Sequence, residues 1–269
     1  MALCLSTSWN AFRYADGKKI IREVKRAGFD EVELSFNLTK EIIEDIACLV
    51  KKKQIKVNSV HNFCPIPDWL ERQNALPDCY SVASLDEEKR SLAVKYTKVS
   101  IDTARNLNAR AVVMHCGRVE IADRTRELIP IFYSSDGVDD PRLVSIRGLM
   151  RREREERAHA HLTAVVKSLD ELAPYARTRN ISLGIENRYY FCEIPSLEEI
   201  GRILENFKGA PVCYWHDTGH AQLWENLGFL KHKDYLDSYG EYLLGVHLHD
   251  IRRDDDHLAP LQGDFDFSL

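Results

Sequence analysis

Short apolar runs alternate with longer stretches of helical spacing along most of the chain, and this alternation predicts its elements. Residues 3–6 form a first apolar run. Ile20, Ile21 and Val24 then recur at helical spacing until Gly28, which suits the position just past a helix end. Residues 32–36 read as a strand, and Thr39 is placed to cap a helix with Ile42, Ile46, Leu49 and Val50 on one face. The unit recurs with a β-branched strand at 56–60 ending at His61-Asn62, a helix near 86–107, and a strand at 111–114 ending at His115. A stripe of Leu162, Val165, Val166, Leu169, Leu172, Ala173 and Ala176 marks a helix over 159–178. Strand 181–185 then ends at Glu186, and Pro195-Ser196 opens a helix carrying Leu197, Ile200, Leu204 and Phe207. Strand 212–215 ends at His216-Asp217 and, after a less regular helix, strand 243–246 ends at His247.

Strand signals that alternate with helices are the signature of parallel βαβ units. The interior strands are continuous apolar runs, as expected when both sheet faces are covered. No G-x-G-x-x-G follows the first strand, which argues against an open dinucleotide-binding sheet. The predicted fold is therefore α/β, of the (β/α)8 TIM-barrel type, with the eighth strand and helix lacking from this chain. Residues 1–269 read as a single domain interrupted by two insertions. Residues 62–85, with Pro65, Pro67 and Pro77, look like a long functional loop. Residues 118–150 run into an Arg-rich segment, 142–157, read as a solvated helix face with mixed i,i+4 pairs or as a phosphate-binding lid.

Composition narrows this little. The 269 residues carry 37 Lys+Arg against 42 Asp+Glu, a net charge of −5, and are 44% hydrophobic, which excludes collagen-like, low-complexity and wholly disordered chains. The mild acidity argues against a nucleic-acid binder. No run approaches the roughly 20 apolar residues of a membrane span. Seven cysteines without a C-x-x-C pair suit buried free thiols in a reducing, cytoplasmic compartment.

The chemistry lies at the strand ends. His61, His115, Glu186, Asp217 and His247 each close a strand signal, and in a parallel barrel those ends converge on one mouth. A single such His is more often a hydrogen-bonded structural residue; five potential ligands in register point to a metal. Asp217 and His220 can face one ion, and Asp254-Asp255-Asp256-His257 can add a carboxylate and an imidazole. Imidazoles and carboxylates without Cys suit Zn²⁺, Mn²⁺, Fe²⁺ or Co²⁺. Aromatic residues near strand ends, Trp9 among them, suit either sugar-ring packing or ordinary rim packing.

The segments LGIENR, WHDTGHA and VHLHDIRRDDDHLAPLQGDFDF resemble the xylose-isomerase-like TIM-barrel superfamily, which holds sugar-phosphate isomerases and epimerases and endonuclease IV. In the isomerase and epimerase branch the resemblance places one metal on Glu186, Asp217 and His247, with a fourth ligand, a Glu, on an eighth strand that this chain lacks by truncation or as a seven-strand variant. In the endonuclease IV branch three zinc ions take further ligands that fall on His61, His115, His220, Asp255 and His257. One departure is Gln262, where a Glu is common. The resemblance implies a metal-dependent isomerase or epimerase of a sugar or polyol, phosphorylated or free, working by proton transfer through an enediolate. One divalent ion is expected, with room for up to three. Glu186, His220 and His249 are its candidate catalytic residues, and His61, Arg188 and Trp9 its substrate contacts. The alternatives are a multi-zinc phosphodiesterase and an inactive metal-binding barrel. The expected partner is a small sugar or polyol rather than nucleic acid or membrane, and an open sheet edge invites a homo-oligomer.

Overall fold

Seven parallel strands pair in chain order and curl into an open barrel with helices between them in sequence; the computed structural model describes residues 3–135 and 137–268. The strands of this sheet are β1 (Leu5–Ser6), β2 (Glu31–Leu34), β3 (Lys56–His61), β4 (Ala111–Met114), β6 (Ser182–Glu186), β8 (Val212–Asp217) and β9 (Leu243–His247). Two small antiparallel pairs lie outside it: β5 (Gly117–Arg118) with β7 (Glu193–Ile194), and β10 (Asp250–Arg252) with β11 (Asp255–Leu258). The helices are α1 (Gly17–Arg26), α2 (Lys40–Lys51), α3 (Glu87–Asn106), α4 (Thr125–Tyr133), α5 (Pro141–Arg177), α6 (Leu197–Asn206), α7 (Thr218–Asn226) and α8 (His232–Tyr239).

Local chemistry explains where the helices begin. Asp16, Thr39, Asp86 and Asp140 each accept a backbone N–H in the first turn of α1, α2, α3 and α5. Ser196 and Glu199 form a reciprocal capping box at the start of α6. The main core is the layer between the sheet and the inner faces of α1, α2, α3 and α5, built from residues such as Ile20, Val24, Ile46, Ile101, Val165 and Leu169.

The Arg-rich segment corrects one expectation. It is continuous with the predicted 159–178 helix, giving a 37-residue α5, and two of its arginines are buried. Arg147 donates to the Leu227 carbonyl at 2.9 Å, and Arg154 pairs with Glu199 at 2.6 Å while also donating to the Phe191 and Glu193 carbonyls. Arg154 ties α5 to α6 and to the turn around β7, and Arg147 ties it to the end of α7, so neither is a solvated surface group nor a free phosphate-binding cation. Among the described residues, no helix is long and apolar enough to cross a membrane.

Candidate metal centre

Strand alternation sorts the barrel interior into layers. Ala111, Val113 and the Trp215 ring form a small apolar cluster, for which Gly184 and Gly245 leave room. A Cβ at either glycine would lie 2.9 or 2.4 Å from that ring. Two residues further along the same strands, the next side chains on this face are His115, Glu186, Asp217 and His247. The register sets Asp217 opposite His247 and Trp215 opposite Glu186. The continuous apolar runs thus build a hydrophobic floor, and the residues that close them form a polar layer at the mouth.

In that layer Glu186 is shared. Its Oε1 lies 2.7 Å from His247 Nδ1, and its Oε2 lies 3.0 Å from His115 Nε2 and 3.5 Å from His61 Nε2. Asp217 Oδ2 is 3.7 Å from His247 Nδ1. Four groups of three residues bring ligand atoms within 4.8 Å of one another: His61–His115–Glu186, Glu186–Asp217–His247, Asp217–His220–His257 and His249–Asp256–His257. The donor set fits a divalent cation. Glu186 Oε2 is buried and makes no well-aligned hydrogen bond although two imidazole nitrogens face it, an arrangement that a cation between them would satisfy.

The imidazoles are held in fixed tautomers. His61 Nδ1 donates to the Asn62 carbonyl at 3.0 Å, His220 Nδ1 to the Asn187 carbonyl at 2.9 Å, and His115 Nδ1 to Asp78 at 3.2 Å. In each, Nε2 is the nitrogen left to face the centre, the orienting pattern that metal-ligating histidines show. Asn187 also accepts from the Asp217 N–H at 2.7 Å, and Asp217 itself accepts from the His220 N–H at the start of α7.

Charge follows from these contacts. Burial pushes the Glu186 carboxyl up, but His247, His115 and His61 outweigh it and hold it well below the usual carboxylate range. Burial likewise opposes ionisation of Asp217, and His220 and His249 overcome it. Both carboxylates are therefore anionic at neutral pH. Burial lowers His247, yet the Glu33 and Glu186 carboxylates raise it well above the ordinary value. For His220 burial dominates and the shift is downward.

A model of the family described as xylose isomerase-like TIM barrel matches residues 21–268. The chain belongs to that family. Solved structures share its fold at low identity. A D-tagatose 3-epimerase-like protein is 20% identical with a TM-score of 0.66, over 99% of this chain and 83% of that one. A 3-keto-D-glucoside 4-epimerase from E. coli is 17% identical with a TM-score of 0.67, over 100% and 84%. A putative xylose isomerase from Rhodospirillum rubrum is 18% identical with a TM-score of 0.67, over 93% and 77%. A search of curated protein sequences finds no match.

Of the ligand set that the family resemblance implied, His61, His115, Glu186, Asp217, His220, His247 and His257 fall into the four groups, and Asp255 does not. Alternation on β11 leaves Asp255 exposed; its neighbour Asp256 turns inward, with Oδ2 3.7 Å from His220 Nε2. His249 Nε2 lies 3.0 Å from both Asp217 oxygens, and its ring stacks on His257 at 4.3 Å between centroids. Arg188 is buried, but its charge is already matched. It lies 2.9 Å from Glu193, 3.6 Å from Asp78 and 3.8 Å from Glu186, so a substrate phosphate would compete with three carboxylates. Its Nε and Nη1 nonetheless lack partners, which leaves donors for neutral hydroxyls. Trp9 sits in a short helical turn just after β1, 42% exposed, with the Arg13 guanidinium 5.0 Å from its ring.

Two residues of the candidate site escaped the sequence reading, and in the run of three aspartates the one facing the site is Asp256, the neighbour of the one singled out. Glu33 reaches His247 Nε2 at 3.1 Å from the middle of β2, Asp78 in the 62–85 loop holds His115, and Asp256 replaces Asp255. For Glu33 a signal existed: it is one carboxylate between Val32 and Leu34 in an apolar strand. Asp78 had none, because its loop lacks periodicity.

Proposed function

We propose that this chain is a divalent-metal-dependent epimerase or isomerase of a sugar or polyol, moving a proton through an enediolate. The observation that carries the reading is the convergence of Glu186, Asp217 and His247 on one point at the barrel mouth. Membership of the xylose isomerase-like family supports it, as does the fold shared with several sugar epimerases. A bound divalent ion supplies Lewis acidity, lowering the pKa of the C–H beside a substrate carbonyl. The chain's own residues do the rest. Glu186, Asp217 and His247 hold the ion; Asn187 holds Asp217 in place; the buried floor beneath excludes water. His220, with Nδ1 engaged by the Asn187 carbonyl, and His249, hydrogen-bonded to Asp217, are the proton carriers. His61, Trp9 and the unpartnered Arg188 donors contact substrate hydroxyls.

A second reading is favoured by one observation: Glu186 and Asp217 each belong to two ligand groups, as a cluster of two or three ions would require. Such a cluster, held by these residues, would suit a phosphodiesterase, supplying Lewis acidity toward an attacking water and a leaving oxygen.

The test is incubation of metal-loaded protein with ketoses, aldoses and their phosphates in D₂O, followed by NMR. The proposal expects deuterium at one carbon beside the carbonyl, abolished by a chelator. No exchange with any metal or sugar, alongside hydrolysis of a phosphodiester, would favour the second reading instead.

A further inference from the structure

We infer that Glu33 is a positioning residue that aims His247 at the metal centre, an inference that rests on the metal reading above. Glu33 is 4% exposed, and alternation along β2 turns it to the face opposite Val32 and Leu34, so its carboxylate is enclosed away from water on the polar side of the strand. Such a group is costly unless it is fully bonded. Its partners come from three other strands. Ser59 Oγ on β3 donates at 2.8 Å, Ser6 Oγ on β1 donates at 3.3 Å, and His247 Nε2 on β9 lies 3.1 and 3.2 Å from its two oxygens.

His247 differs from its neighbours in the nitrogen it turns inward. His61, His115 and His220 anchor Nδ1 and leave Nε2 for the centre, whereas His247 presents Nδ1 to Glu186 and points Nε2 away. An imidazole in that reversed pose needs an acceptor on its Nε2 side, and Glu33 supplies it. With the Nε2 proton committed to Glu33, Nδ1 is the nitrogen that faces Glu186 and Asp217, where an ion would take the place of its proton. The two serines keep the Glu33 oxygens from swinging away, so β1, β2 and β3 together fix a ligand carried on β9.

The test measures zinc affinity by competition with a chromophoric chelator, and the visible spectrum of the cobalt-loaded protein, for wild type, Glu33→Ala, Glu33→Gln and Glu186→Gln. Circular dichroism confirms folding. Glu33→Ala is expected to weaken zinc about 10–100-fold, the usual effect of removing an outer partner of a ligating histidine. It should also shift the cobalt bands. Glu33→Gln keeps an acceptor oxygen and should lose less, and it carries the test if the alanine variant does not fold. In a His247→Ala background, Glu33→Ala should add nothing, because no imidazole remains to aim. Wild-type affinity and spectrum in both Glu33 variants, with zinc lost in Glu186→Gln, would overturn the role of Glu33 and leave the metal centre standing. An equal loss on the His247→Ala background would mark Glu33 as merely structural and overturn the inference. No zinc binding by the wild type would overturn both readings.

Discussion

Glu186 joins the two innermost ligand groups, one oxygen toward His61 and His115 and the other toward His247. Removing it should therefore cost more than removing any one histidine. Glu186→Gln is expected to abolish metal retention, whereas His115→Ala should spare the Glu186–Asp217–His247 group; metal analysis of the two variants after dialysis checks this. His220 should separate binding from chemistry. His220→Ala is expected to lower turnover by about 10²–10⁴-fold, the ordinary contribution of a positioned acid or base. Metal affinity at the Glu186 group should hold, which steady-state kinetics and chelator competition together would show. Much of this residue-level picture was legible in the sequence, because each apolar run stops at a ligand-type side chain. The exceptions have physical reasons. Three successive aspartates cannot be told apart until the hairpin register shows that Asp256 turns inward and Asp255 outward. Asp78 works from an aperiodic loop, and Glu33 was hidden in a strand whose apolar run it interrupts.

At the scale of elements, α5 shows how a charge-rich sequence can serve packing. Leu143, Arg147, Met150, Arg154, His161 and Val165 are all buried, and their spacing of three, four and seven keeps one face of the helix inward. That face was readable in principle, but an arginine counts as polar in any hydropathy pattern even when its guanidinium is fully bonded. Arg154→Ala removes one partner of a buried ion pair and is expected to destabilise by about 3–5 kcal/mol. The exposed Arg152→Ala should change stability by less than about 0.5 kcal/mol, and denaturant titrations compare them. A second device sits under α7 and α8. His216 Nε2 meets His232 Nε2 at 2.9 Å, and His232 Nδ1 meets Gln222 at 3.2 Å, so both imidazoles are neutral members of one buried chain. Burial depresses His232 to about 4, against the pull of Glu225. The unfolded chain takes up this proton near pH 6.5 and the folded one only near pH 4, so stability is full above about 6.5 and falls as pH drops through that window. Replacing the imidazole by an amide, His232→Gln, should reduce the drop in melting temperature between pH 7 and pH 5; an unchanged drop would exclude the mechanism.

Across the whole molecule, the strand order β1-β2-β3-β4-β6-β8-β9 carries the fold, and the alternation of apolar runs with helical stripes was enough to anticipate it. What the pattern could not supply was contact between distant parts. Asp250, inside a family-like motif, is not a ligand in any of the four groups. Its carboxylate accepts the N–H groups of Ile251, Gly263 and Phe265, binding the last segment of the chain to β10. Glu33 and His247 meet across 214 residues of sequence, and that contact links the early strands to the centre. Metal stoichiometry then separates the two functional readings at this scale: one tightly bound ion per chain accords with the epimerase or isomerase, and two or three zinc ions with the phosphodiesterase.

The central claim is that Glu186, Asp217 and His247 hold a divalent ion at the barrel mouth. Elemental analysis of protein loaded with zinc or manganese and dialysed exhaustively tests it most directly, with Glu186→Gln and Asp217→Asn run alongside. At least one ion should be retained per wild-type chain and none at this position in either variant. Wild-type protein that retains no ion, or variants that retain as much as wild type, would contradict it.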